Sequence, residues 1–134
     1  MTPAGAAPAR NSRSVMENKS VSLQTAMQFL GKEVEITFDR PLGSKHPQYD
    51  FEYEVNYGYL EGVKAPDGGD LDAYFLGVDI PLQKTKGIVK AIVHRIDDDD
   101  DKLVVMPKEI NLSDEEIEKL VYFSESWFKH TIIR

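Results

Sequence analysis

FEYEVNYGYLEGVKAPDGGDLDAYFLGV, residues 51–78, reads as strand, turn and strand. Phe51, Tyr53 and Val55 alternate with polar residues, which is the period of two that a half-buried strand shows, and a strand is predicted over Phe51–Tyr59. Tyr57 and Tyr59 flank Gly58, whose missing side chain lets another backbone approach closely. KAPDGGD, residues 64–70, is a turn, and Asp72–Val78 is the next strand.

The same period extends in both directions. EVEITF, Glu33–Phe38, alternates acidic with apolar residues; Gly87–Ile96 is long enough to be a central strand; Lys102–Pro107 returns as a strand after the connection Asp97–Asp101. Pro41, Gly43 and Pro47 make residues 39–48 a loop. Helical spacing appears twice. Leu23, Met27 and Leu30 predict a helix over Ser22–Leu30 stopped by Gly31. Ser113 with Glu116 matches a capping box, and Ile117, Leu120, Val121 and Phe128 share one side of a helix running to about Lys129. Five short strands with a C-terminal amphipathic helix, mainly β with α, suit a small closed barrel, because closure removes exposed edges.

A chain of 134 residues with 41% hydrophobic and 29% charged residues is ordinary for one globular domain. Residues 1–16 carry no periodic apolar face and are expected as a flexible tail before a single domain over 17–134. The absence of cysteine excludes disulfides, thiolate metal sites and cysteine nucleophiles. No apolar run is long enough to span a bilayer and none resembles a secretory signal, so a cytoplasmic protein without membrane partners is expected. A net charge of -7 argues against nucleic acid as partner, since phosphate backbones are held by Lys and Arg.

The candidate chemistry lies in two acidic turns. Asp67, Asp70 and Asp72 fall within APDGGDLD, and Asp97–Asp101 follow one another directly. Carboxylate oxygens suit hard divalent ions, although solvated polar turns have the same composition. Brought to one rim of the barrel, the two turns would form a cup for two or more metals. Tyr53, Asn56, Tyr57 and Tyr59 surround Gly58, and tyrosine hydroxyls donate to phosphate oxygens as readily as they edge a core. His46, His94 and His130 have no metal-ligand spacing and are expected to be structural or exposed.

YEVNYGY, the aspartate-rich PDG turn, the long strand, the acidic hairpin and KLVVMP together resemble the family I soluble inorganic pyrophosphatases over roughly residues 33–130. RPLGS followed by His46–Pro47 is similar to a shortened bacterial branch of that family. The resemblance implies a five-stranded OB-like barrel and Mg²⁺-dependent hydrolysis of pyrophosphate, with Mn²⁺ as a substitute. It implies metal ligation by Asp67, Asp72, Asp97 and Asp100, and a small-molecule phosphoanhydride as partner. Lys102 and Tyr57 would contact phosphate, Tyr53 matches the aromatic residue preceding Tyr57, and Phe128–Lys129 take the place of a Tyr–Lys pair. Asp39 stands where the family has a metal-facing glutamate. Family members form oligomers, which leaves a homo-oligomer open.

The departures matter equally. Gly69 occupies the place of the family's middle aspartate, which activates the attacking water, so that role passes to Asp70 one place later. The family's arginine before the tyrosine strand has no counterpart, and Lys45 or Arg40 would substitute. Three functions follow: a pyrophosphatase, a non-catalytic or weakly active metal and phosphoanhydride-binding relative, or a hydrolase of another phosphoanhydride such as a nucleotide.

Overall fold

The computed structural model of the protein describes residues 20–134 apart from Asp67 and Asp99. The tail expected over 1–16 and the metal role expected of Asp67 lie outside the described residues. The chain order is α1 (Val21–Met27), β1 (Glu33–Arg40), β2 (Asn56–Lys64), β3 (Asp70–Phe75), β4 (Lys84–Arg95), β5 (Lys102–Met106), α2 (Asp114–Glu125) and β6 (His130–Ile133).

The sheet runs β1-β2-β3-β5-β4 and closes where β4 pairs with β1, so five strands make the expected OB-like barrel. Every pairing within it is antiparallel except β3 with β5. Alternation sorts the side chains. Val34, Ile36, Phe38, Leu71, Ala73, Phe75, Leu103 and Val105 fill the interior, joined by Leu23 and Ala26 of α1. Tyr74, Val104 and Met106 point outward and are covered by Ile117 and Val121 of α2. Both helices are capped as serine at an N-terminus allows: Ser20 Oγ accepts from the Leu23 N–H, and Ser113 with Glu116 completes the capping box.

An irregularity in β4 decides which way its second half faces. Val89 pairs with Val105 but Ala91 pairs with Val104, so Lys90 is an inserted residue. Before it Val89 is interior; after it Ile92 is interior while Ala91 and Val93 are outside. The phase change turns Arg95 toward α2. Lys90 Nζ meanwhile donates to the carbonyls of Lys108 and Ile110 and to Asn111 Oδ1.

Several boundaries depart from the sequence reading: β3 is Asp70–Phe75 rather than Asp72–Val78, and β4 starts at Lys84 rather than Gly87. The first helix ends at Met27, because the Gly31 N–H bonds to the Val89 carbonyl and carries the chain into β1. The strand expected from Phe51 begins at Asn56. Residues 51–53 pair instead with the proline-rich loop, through Tyr53 N–H to the Ser44 carbonyl, Gly43 N–H to the Tyr53 carbonyl and His46 N–H to the Phe51 carbonyl. The buried Asn56 amide holds that loop down, accepting from the Leu42 and Leu82 N–H groups and donating to the Ile80 carbonyl. The second helix stops at Glu125. HTII then forms β6, unexpected from sequence, along the part of β4 that β1 leaves unpaired. Gly58 behaves as expected: a Cβ there would sit 2.0 Å from the Thr37 carbonyl oxygen.

Candidate functional site

Asp72, Tyr57 and Lys102 belong to neighbouring strands and all face outward. Asp72 lies opposite Tyr59 on β2, and the β3–β5 register sets it beside Lys102. The Tyr57 hydroxyl donates to Asp72 Oδ2 at 2.9 Å. Lys102 Nζ stands 3.7 Å from the same oxygen and 3.2 Å from Asp100 Oδ2, and the residue is buried. The two acidic turns therefore meet at one lysine. Their meeting place is the outer wall beside the C-terminal end of α2 rather than an open end of the barrel, because Asp72 and Lys102 both lie in the outward-facing series of their strands.

A buried network backs the carboxylates. Glu125, fully buried on α2, accepts from Arg95 Nε at 3.0 Å and Nη2 at 3.2 Å, and from the Tyr74 hydroxyl at 2.6 Å. Arg95 Nη1 reaches Asp100 at 3.3 Å and Asp98 at 3.7 Å, and the Phe128 ring covers the guanidinium at 3.6 Å. Phe128 thus lies beyond the helix, although its spacing placed it on the helix's apolar side. Sequence reading missed Arg95 and Glu125. The signal available was the spacing Ile117, Val121, Glu125: a carboxylate on the buried side of a helix needs a partner of opposite charge.

These surroundings move proton affinities. Burial raises the Asp72 carboxyl above its ordinary range, against the lowering effects of Lys102 and of the Tyr57 hydrogen bond. Burial, reinforced by Asp72, pushes the Tyr57 hydroxyl well up, and burial with Glu125 does the same to Tyr74, so both remain donors. Burial works against the charge of Arg95, but the hydrogen bonds and charge of Glu125 outweigh it and hold the guanidinium protonated. Asp101 is split from the acidic run: it is buried, accepts from the Arg95 N–H and contacts His94 Nδ1, while its own N–H donates to Ser22. Burial raises its proton affinity despite these bonds.

The site opens into a cavity of about 260 Å³. Its charged end holds Asp72, Asp100, Lys102 and Arg95, with Phe128 over the guanidinium; its other end holds His46, Tyr49, Phe51, Tyr53 and Trp127. Other expected residues stand apart. Asp70 starts β3 but its carboxylate pairs with Lys64 Nζ at 2.9 Å, outside the lining. Asp97, Lys45 and Lys129 are exposed and do not line the cavity, although His46 and Phe128 beside the two lysines do. Asp39 is likewise exposed and off the lining. Among the described residues no three His, Asp or Glu side chains converge as a ready-made metal site. Asp72 and Asp100 nevertheless offer the oxygen donors that Mg²⁺ takes, with water completing its shell.

The chain matches no protein-family model and no curated protein. Its fold matches solved inorganic pyrophosphatases. The enzyme from Helicobacter pylori aligns over 76% of this chain and 84% of its own at a TM-score of 0.60 and 17% identity. That from Ehrlichia chaffeensis aligns over 75% and 84% at 0.59 and 13% identity. That from Thermus thermophilus aligns over 74% and 80% at 0.58 and 18% identity. The resemblance read from the sequence is thus present in the architecture: this is an inorganic pyrophosphatase-like fold. No described helix is long and apolar enough to cross a membrane.

Proposed function

We propose that this protein binds pyrophosphate as its Mg²⁺ complex in the outer-wall cavity and hydrolyses it slowly to two phosphates. The observation that carries this reading is the approach of Asp72 and Asp100, from two separate turns, to the one Lys102 Nζ at 3.7 and 3.2 Å. Two carboxylates alone would repel an anhydride. With Lys102, Arg95 and a divalent ion, the charged end becomes a place for a polyanion.

Asp72 and Asp100 would hold the ion; Asp67 is the further ligand that the resemblance implies, and Asp97, exposed and off the cavity lining, would join only by a shift of its turn. When bound, Mg²⁺ would neutralise the anhydride and acidify a coordinated water. Lys102 would stabilise charge on the phosphoryl oxygens, and the protonated Tyr57 hydroxyl would donate to one of them. Glu125 holds Arg95 in place so that its remaining N–H groups face Asp100 and the ligand beyond it. Asp70, the proton acceptor that the resemblance implies, is paired with Lys64 off the cavity lining, so turnover is expected to be slow and to depend little on Asp70. That same pairing favours a second reading, a binding protein without hydrolysis.

Phosphate release from pyrophosphate, measured with Mg²⁺ and Mn²⁺, separates the two. Release that disappears in Asp72→Asn and Asp100→Asn supports the enzyme. No release above background, with Mg²⁺-dependent pyrophosphate binding intact, supports the binding protein. Absence of both ends the proposal.

A further inference from the structure

The charged end of the cavity is continuous, through Tyr57, with a run of aromatic rings that reaches past the residues assigned to the anhydride. Tyr57 stacks on Tyr53 with centroids 5.4 Å apart, Tyr53 stacks on His46 at 6.1 Å, and His46 contacts Tyr49 at 4.8 Å. Part of this run braces the loop against α2, since Phe51 and Tyr53 both make T-shaped contacts with Phe123. The outer members share in this bracing, since Trp127 lies 6.1 Å from Phe51, yet they stay open to solvent. Tyr49 is 52% and Trp127 62% exposed, and the two meet at 68° with centroids 5.5 Å apart. They form a solvent-exposed aromatic corner against which a planar ring could lie.

Resting on the anhydride reading of the charged end, we infer that this aromatic corner is a subsite for the base of a nucleoside di- or triphosphate. The ligand chemistry follows from the two ends together. One end takes a phosphoanhydride with its cation, and the other takes a flat, weakly polar ring, because a base stacks on an aromatic side chain whatever its hydrogen-bonding edge. Among phosphoanhydrides, nucleotides carry both parts on one short linker.

Trp127 is the chain's single tryptophan, so its emission reports on the corner directly. The protein with Mg²⁺ is titrated with α,β-methylene adenosine diphosphate and, separately, with methylenediphosphonate, following Trp127 emission and binding heat. The expected result is saturable quenching by the nucleotide analogue and about tenfold tighter binding than methylenediphosphonate. Tyr49→Ala should weaken the nucleotide analogue about tenfold more than it weakens methylenediphosphonate. Equal affinity for both probes with unchanged emission, or equal weakening by Tyr49→Ala, overturns the subsite and leaves the anhydride reading standing. Failure of methylenediphosphonate and the nucleotide analogue alike to bind overturns both.

Discussion

Arg95 and Glu125 grip each other through two hydrogen bonds, Nε to Oε1 at 3.0 Å and Nη2 to Oε2 at 3.2 Å, between the barrel wall and α2. The fork-to-fork geometry fixes the guanidinium plane, which leaves Nη1 aimed at Asp100. One buried pair therefore docks the helix and orients the back of the site.

Removing one partner strands the other. Glu125→Ala should lower the unfolding free energy by about 3 kcal/mol in urea titration, because Arg95 and the Tyr74 hydroxyl lose their shared acceptor in a buried setting. Wild-type stability in this variant would refute the docking role.

Gly58→Ala tests a close approach between β1 and β2. The added methyl would meet the Thr37 carbonyl oxygen and the Phe38 Cα, both backbone atoms that cannot swing aside. A loss of about 3 kcal/mol is expected by thermal or chemical unfolding, at the upper end of ordinary overpacking. An unshifted melting curve would mean that β1 and β2 do not lie as described.

Asp70→Asn and Asp72→Asn should part company in Mg²⁺-dependent phosphate release. Asp72 lines the cavity and Asp70 is tied to Lys64, so we expect a loss of ~10²-fold or more from Asp72→Asn and less than about tenfold from Asp70→Asn. Equal losses would show that Asp70 leaves Lys64 during turnover.

His130 supplies a pH dependence. Its Nδ1 lies 2.8 Å from the Phe128 carbonyl and its Nε2 2.9 Å from Glu118, an arrangement in which both nitrogens donate only as imidazolium. Partial burial opposes the charge, yet the Phe128 carbonyl and Glu118 outweigh it and raise the proton affinity above the ordinary value of 6.5. The folded state thus holds this proton more tightly than the unfolded chain. The added stability is fully present below about pH 6.5 and fades as pH rises through the folded-state value. The stability gap between wild type and His130→Gln should be wider at about pH 6 than at about pH 9, read from urea midpoints. A gap independent of pH would remove the imidazolium from the account.

Much of this was legible locally. Val34, Ile36 and Phe38 alternate into the interior as their period requires, Gly58 marks a close backbone approach, and Ser113 with Glu116 caps α2. Tyr57, Asp72, Asp100 and Lys102 were singled out and do line one cavity. Arg95 was not, because its direction depends on the inserted Lys90, and nothing in GIVKAIVHRI announces which residue its partner strand will skip. β6 escaped for a related reason: four residues form a strand only because β4 outruns β1 and leaves backbone groups to satisfy.

By itself the sequence determined the secondary-structure periods, the buried alternation and the kinds of side chain available for a phosphoanhydride, since each depends on neighbours a few residues apart. The tertiary structure alone decided that Asp72 and Asp100 share Lys102 on the outer wall, that Asp70 turns to Lys64, and that Tyr49 meets Trp127. Those outcomes follow from strand register, the bulge in β4 and the docking of α2, which couple residues far apart in the chain through burial and ion pairing.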